Sequence, residues 1–164
     1  MATKQEMING LEFLIGEAQR IASVLRDDEW TLAKDSDGWK NTQVLAHVAS
    51  VGSIAVPFMS QMGTAAPDAN VAAGLDINVL NAQLVAARDG KTAQELADEC
   101  ATNYRGIIEF IEKSDEAMWQ QPRTIMGYTE VPMGDIFMRM VVLHGLAHIY
   151  EAYSAVMGPV ATRP

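Results

Sequence analysis

The sequence predicts an all-α protein, and more specifically a four-helix bundle with long crossover connections. Three observations lead to this prediction. Apolar residues recur every three or four positions over long stretches, helix-capping signals precede these stretches, and no stretch shows the alternation of a strand. The chain has 164 residues, of which 49% are apolar. That composition suits one domain over residues 1–164 with a sizeable core, without an internal repeat or a second domain.

The first predicted helix runs from about Lys4 to Arg26. Its apolar stripe follows helical spacing through Met7, Leu11, Leu14, Ala18, Ile21 and Leu25. The polar stretch DDEWTLAKDSDGWKN then breaks the period, so we expect the helix to end before it.

The second predicted helix runs from Thr42 to about Met59, with Asn41 as its N-cap. Pro57 should end or kink it near its C-terminus. The stripe of this helix has the spacing of a bundle core and consists of Val44, His47, Val51, Ile54 and Phe58. One histidine is therefore expected in the core.

The next connection, GTAAPDANVAAG over residues 63–74, is long enough to cross the end of a bundle. A shorter helix is expected from Asn78 to Arg88. Thr92 and Glu95 then form a capping box for a helix that reaches about Lys113. Its stripe is Leu96, Cys100, Asn103, Ile107 and Ile111.

The last predicted helix follows the segment SDEAMWQQPRTIMGYTEVP, which we expect to be a loop with one helical turn at most. Pro132 suits the first turn of this helix. The helix should reach about Met157, where Gly158 and Pro159 stop it.

Charge and composition exclude several partners. The net charge is −9 and the sequence pI is near 4.7, with no Lys/Arg cluster, so we expect neither a nucleic-acid nor a membrane partner. The N-terminus lacks the pattern of a signal peptide, and no stretch has the roughly 18 to 20 apolar residues needed to span a bilayer. The single cysteine rules out an internal disulfide. We therefore expect a cytoplasmic protein.

Two of the three histidines lie in the stretch HGLAHIYEAY, residues 144–153. A zinc protease would carry H-E-x-x-H here, but Gly145 stands in place of the glutamate. His144 and His148 are four positions apart, so their Cβ atoms should lie roughly 5 to 6 Å apart on one helix face. With His47 on the core stripe of the second helix, all three imidazoles are expected to face the bundle interior.

Two interpretations of these histidines stay open. Each ring could be an ordinary core residue with its own hydrogen bonds. Alternatively, the three rings could share one divalent cation, which would satisfy three buried ring nitrogens at once and leave a coordination position for water. Spacing alone does not show that His47 lies level with the other two.

Other residues near this stretch have a functional and an ordinary interpretation. Glu151, one turn beyond His148, is a candidate general base or a partner that orients the histidine ring; a solvated helix residue is the alternative. Gly145 suits close packing, and Trp39 and Tyr128 either wall a pocket or plug the core. Arg139 could anchor an anion, although solvated surface is the default.

Three segments of the sequence resemble the DinB-like superfamily and, within it, the N-terminal metal-binding domain of mycothiol-dependent maleylpyruvate isomerases. They are WKNTQVLAHVASV, GLDINVLNAQLVAARDGKTAQELADE and VPMGDIFMRMVVLHGLAHIYEA, which together span most of the chain. The isomerase carries an additional C-terminal domain, and the resemblance covers only the metal-binding domain.

The resemblance implies a four-helix bundle that binds a divalent metal ion, zinc or nickel. One ligand comes from the second helix and two from the last, which corresponds to His47, His144 and His148 here. It also implies a small-molecule substrate and a low-molecular-weight thiol in S-transferase or isomerase chemistry. A metal-dependent hydrolase and a non-catalytic metal-binding module are the alternatives, and a homodimer is possible.

Overall fold

The computed structural model describes residues 1–33, 38–66 and 69–157, which form a four-helix bundle as expected. The α-helices are α1 (Lys4–Val24), α2 (Asn41–Thr64), α3 (Ile77–Ala86), α4 (Ala93–Lys113), α5 (Glu116–Gln120), α6 (Met133–Phe137) and α7 (His144–Met157). A π-helical segment, Met138–Leu143, joins α6 to α7, so these three pieces form the fourth helix of the bundle. Helices α1 and α2 each pack against α4 and α7.

Capping boxes fix the starts of α1 and α4. Thr3 accepts from the backbone of Glu6, whose side chain accepts from the Thr3 backbone, and Thr92 and Glu95 do the same at α4. The apolar stripe predicted for α1 is buried from Met7 to Ile21. Helices α1 and α4 pack against each other along their apolar stripes, as the sequence pattern predicts.

Helix α2 departs from its predicted bounds at both ends. Lys40, rather than Asn41, is the N-cap residue, and the Asn41 amide instead donates to the backbone oxygen of Glu29 at 2.9 Å. The helix also continues for seven residues beyond Pro57. Pro57 lies on the exposed face, where the carbonyl that loses its helical hydrogen bond can be solvated, so the helix is not ended.

The segment expected to be a loop contains secondary structure. After α5, the strands β1 (Pro122–Ile125) and β2 (Tyr128–Pro132) form an antiparallel hairpin. Met126 and Gly127 both have positive φ, as a two-residue type I′ turn requires. The expectation that this segment contains no strand is therefore wrong. Strands of four and five residues flanked by prolines are too short to show an alternation of apolar and polar residues in the sequence.

The last helix begins at Met133, after Pro132, and is described as far as Met157. The predicted stop at Gly158 and Pro159 lies outside the described residues. Its π-helical segment adds one residue to a turn, which moves the buried face by one position. Beyond this segment the buried residues are Gly145, Ile149 and Ala152.

Two crossovers connect the bundle helices. The first contains α3, which packs against α2 and is tied to α4 by Arg88: its guanidinium donates to Glu99 at 2.6 Å and to the backbone oxygen of Leu84. The second contains α5 and the hairpin. Both crossovers are long, as predicted, and both reach the same side of α2, where they contribute to a cavity.

Helix α2 is, among the described residues, the one helix long and apolar enough to cross a membrane by length and composition. The expectation that no stretch meets this criterion is therefore wrong for α2. More than half of the most apolar stretch of α2 is buried inside the protein, as is usual for the core helix of a bundle. Length and composition are therefore weak evidence for a membrane helix here.

Candidate metal centre

His47 lies in the second turn of α2 and is only 2% exposed. Two residues of α4 hold the helix backbone next to it: the Tyr104 hydroxyl donates to the Val48 oxygen at 2.9 Å, and the Asn103 amide donates to the Ala49 oxygen at 3.0 Å. The indole of Trp39 packs against the imidazole with ring centroids 5.3 Å apart. The ring is therefore shielded from solvent and held firmly.

His144 and His148 lie on α7 and meet His47 across the bundle. Nε2 of His47 is 3.0 Å from Nε2 of His144, and the ring centroids of His47 and His148 are 4.9 Å apart. The ring centroids of the α7 pair are 4.4 Å apart. One ring nitrogen from each residue lies within 4.8 Å of the other two, so residues distant in the sequence form one cluster.

The two histidines of α7 do not face the interior as expected. His144 is exposed and His148 is partly buried, whereas His47 alone of the three is buried. The physical reason is the π-helical segment, which turns Gly145 and Ile149 toward the bundle and leaves His144 at its edge. The cluster thus has a buried side at α2 and an accessible side at α7.

Glu151 contacts the cluster from the same helix. Its Oε2 lies 2.8 Å from Nδ1 of His148, and the carboxylate is 42% exposed. When Nδ1 carries the ring proton it donates to Glu151, which leaves the lone pair of Nε2 for another partner. This arrangement is the one that carboxylates commonly make with metal-binding histidines.

The three imidazoles fit a divalent ion of the zinc or nickel type. Nitrogens bound to one tetrahedral zinc ion at about 2.0 to 2.1 Å lie roughly 3.4 Å apart, which small ring rotations would reach from the observed separations. Imidazole nitrogen suits zinc and nickel, whereas magnesium and calcium prefer oxygen. Three neutral ligands also leave a coordination position for water or substrate.

A cavity of about 320 Å³ opens beside His47 and His144. Helices α2 and α3, the hairpin and the last helix form its wall, and its apolar side chains include Val51, Ile54, Phe58, Leu80 and Met140. The remaining polar side chains are Asn81 and Tyr128. Its size is at the lower end of the about 300–1,000 Å³ typical of small-molecule sites.

The other residues considered in the sequence have structural surroundings that fit packing better than chemistry. A Cβ atom at Gly145 would lie 2.9 Å from Cδ2 of Leu14, so this glycine permits the close approach of α1 and α7. Cys100 is buried, and burial raises the pKa of its thiol to about 12. The exposed guanidinium of Arg139 lies 5.7 Å from the ring centroid of Tyr128 and is not part of the cavity wall.

The contribution of α3 and the hairpin to this cavity was not predicted from the sequence. Asn81 and Leu80 belong to a ten-residue helix in a crossover, and Met126 lies in a two-residue turn. Neither element has a motif of its own. The length of the two connections was the available signal, since long crossovers have enough chain to fold back over a site.

A family model described as the mycothiol maleylpyruvate isomerase N-terminal domain matches residues 14–153. This range includes all three histidines and Glu151. Among curated proteins, no sequence matches the chain.

Three solved structures share the fold. The colibactin self-resistance protein ClbS, crystallised in complex with dsDNA, has a TM-score of 0.71 at 10% identity over 98% of this chain and 99% of its own. A protein from Streptococcus pneumoniae has a TM-score of 0.69 at 11% identity, over 96% and 92%. A histidine-to-alanine mutant of the mycothiol-dependent maleylpyruvate isomerase has a TM-score of 0.61 at 16% identity, over 99% of this chain and 65% of that one.

The ClbS complex overturns the expectation that the chain has no nucleic-acid partner. That expectation rested on a net charge of −9. Net charge is an average over the whole surface, whereas contacts to phosphates depend on where individual Lys and Arg side chains lie. An acidic average therefore does not exclude DNA for a protein of this fold.

Proposed function

The chain belongs to the family of the mycothiol maleylpyruvate isomerase N-terminal domain, within the DinB-like superfamily, and we propose that it is a metal-dependent enzyme acting on a small molecule. In this proposal His47, His144 and His148 bind one divalent ion, zinc or nickel. The observation that carries it is the meeting of three imidazoles, from α2 and α7, beside a cavity of ligand size.

The protein's own residues supply positioning and shielding at this site. A bound divalent ion would act as a Lewis acid and lower the pKa of a thiol or water. Glu151 would accept a hydrogen bond from Nδ1 of His148 and so leave Nε2 of that ring for the ion. Trp39 keeps water away from the inner face of His47, while the exposed side of His144 borders the cavity through which a substrate would enter.

Thiol-dependent S-transfer or isomerisation is the reaction class we propose, because the family is defined by a mycothiol-dependent isomerase. A metal-dependent hydrolase would use the same three ligands with water as the nucleophile. A non-catalytic metal-binding module would keep the ligands without turnover.

The single cysteine further supports a cytoplasmic location, where thiols stay reduced.

The first experiment measures metal bound per chain in the purified protein and in His47→Ala. We expect about one zinc or nickel ion per chain in the parent and a large loss in the variant, because one of three ligands is removed. Asn41→Ala is the control: it removes another buried polar side chain from α2, away from the cluster. Equal metal content in His47→Ala and the parent would overturn the proposal.

The second experiment separates the reaction classes. The metal-loaded protein is incubated with mycothiol, bacillithiol or glutathione and with monobromobimane or maleylpyruvate as the second substrate. Thiol-dependent turnover that disappears in His144→Ala supports transferase or isomerase chemistry. Ester hydrolysis without thiol favours the hydrolase, and stoichiometric metal with neither activity favours the binding module.

A further inference from the structure

The wall of the cavity beside the cluster carries no formally charged side chain among the residues that the structure describes. Apart from the two histidines, Asn81 and Tyr128, every side chain in contact with it is aliphatic, aromatic or a thioether. Arg139, whose guanidinium lies over the Tyr128 ring, is exposed and does not line the cavity. The wall thus offers no charge partner for an anionic substrate beyond the metal ligands themselves.

This wall discriminates between substrates by charge. A carboxylate that enters apolar surroundings without a partner loses its hydration with nothing to replace it, which is strongly unfavourable. A substrate with two carboxylates could place one at a bound ion, but among the described residues the cavity wall offers no cation to the other. An uncharged body of the same shape would instead gain free energy from leaving water.

We propose that the cavity receives a substrate whose body is uncharged and mainly apolar, with its reacting end at the three histidines, and that it disfavours dicarboxylates. This inference rests on the metal-dependent function proposed above and adds the substrate class. Asn81 supplies the specific polar contact, because its half-buried amide makes no hydrogen bond within the described chain. A carbonyl or hydroxyl group on the substrate would satisfy it.

The test compares two thiols that differ at one end. In the Co²⁺-loaded protein, 4-methylbenzyl mercaptan and 4-(mercaptomethyl)benzoate are titrated, and binding is followed by the thiolate-to-cobalt charge-transfer absorption. Both present the same thiol to the ion, but only the second has a carboxylate that the wall must bury. We expect the uncharged thiol to bind at least about tenfold more tightly.

A matched pair of variants on α3 tests whether the wall causes this preference. Asn81→Arg places a cation at the cavity and should reduce or reverse the preference for the uncharged thiol. Gln83→Arg adds the same charge on the exposed face of α3 and should leave the preference for the uncharged thiol unchanged. Equal binding of both thiols by the parent, or equal effects of the two arginines, would overturn the proposal while leaving metal binding intact.

A measurement without metal tests the cavity independently of the proposed function. We expect the neutral fluorophore prodan to bind the metal-free protein, with a blue shift in its emission. Leu80→Trp, which fills the cavity, should abolish binding, whereas Val79→Trp on the exposed side of α3 should retain it. Failure of prodan to bind, or equal binding by both variants, refutes an apolar receiving site, whatever the metal content.

Discussion

Glu151 contacts the candidate metal centre only indirectly, through the imidazole ring of His148. Its carboxylate lies 2.8 Å from Nδ1 of His148, and the cavity borders His47 and His144 instead. A general base must come within hydrogen-bond reach of the proton that it removes. The contact that the structure shows therefore favours a positioning role over a general base, and we propose that Glu151 orients the His148 ring for a bound ion.

This role predicts a specific loss of metal affinity. Glu151→Ala should weaken zinc binding about 10- to 100-fold, measured by competition with a chelator of known affinity, because His148 loses the group that orients its ring. Glu151→Gln keeps an oxygen that accepts from Nδ1 and should lose less. The melting temperature of the metal-free protein should change little in either variant, since the carboxylate is 42% exposed.

Glu109→Ala is the matched control, since it removes an exposed carboxylate from α4 with the same change in net charge. If Glu151→Ala bound zinc with parental affinity but lost turnover, the positioning role would be refuted. A general base would then be the better assignment. The two roles are thus separated by affinity and turnover together.

The sequence singled out the three histidines that form the cluster, but it did not predict the exposure of the two on α7. Four-residue spacing puts His144 and His148 on one face, and the helical stripe puts His47 in the core. Neither pattern contains the π-helical segment that precedes His144. One extra residue in a turn changes which residues of the following helix face the core. The spacing of His144 and His148 was therefore correct, but their predicted exposure was wrong.

At the scale of elements, close contact between α2 and α4 positions the inner side of the site. Gly52 follows His47 by five residues on α2, and a Cβ atom there would be 2.9 Å from Cβ of Asn103 and 3.3 Å from the Tyr104 ring. The glycine lets α4 approach closely enough for Asn103 and Tyr104 to bond the carbonyls of α2. Packing of two helices therefore fixes where His47 stands.

Substituting glycines in two contacting helices should give opposite results. Gly52→Ala should lower the free energy of unfolding of the parent by about 1–3 kcal/mol, because its methyl group has no space against a Cβ atom. At Gly106 of α4 a Cβ would meet nothing within 4 Å, so alanine should gain up to about 1 kcal/mol from helix propensity. Urea unfolding monitored by circular dichroism measures both values.

Equal stability of the two alanine variants would contradict the assignment of Gly52 to close packing. The comparison is controlled because both substitutions add the same methyl group within a helix. A reduced metal affinity in Gly52→Ala alone would further connect the α2–α4 contact to the placement of His47.

The long, regular elements were predictable because their signals are local. The capping box at Thr92 and apolar stripes of about four to five turns predicted α1 and α4 to within two residues at each end. The short elements were missed for the opposite reason. The hairpin depends on a Met126–Gly127 turn and on packing against the rest of the molecule. The C-terminal end of α2 was missed for a different reason: the helix continues past Pro57 because solvent can satisfy the exposed carbonyl.

At the scale of the whole molecule, charge and composition proved to be weak guides to partners. A net charge of −9 predicted no nucleic-acid partner, yet ClbS shares the fold and is crystallised with dsDNA. The apolar composition of α2 likewise satisfies the criterion for a membrane helix although the bundle buries much of it. Both averages ignore where side chains lie, which only the folded arrangement supplies.

The candidate metal site brings together two helices that are distant in the sequence, and this predicts how a bound ion would affect global stability. His47 and His144 are 97 residues apart in the sequence, so an ion bound to both is lost when the chain unfolds. Free zinc at 100 times its dissociation constant should stabilise the native state by about 2.7 kcal/mol. For a chain of this size that corresponds to a rise in melting temperature of roughly 5–10 °C.

Differential scanning calorimetry with and without zinc checks this value. The rise should be reversed by a chelator, should be absent in His144→Ala, and should not occur with Mg²⁺, which prefers oxygen ligands. An equal rise in His144→Ala would mean that zinc stabilises the protein elsewhere. Because the prediction needs α2 and α7 to be bridged by one ion, it tests the convergence of the histidines in solution without requiring any knowledge of the substrate.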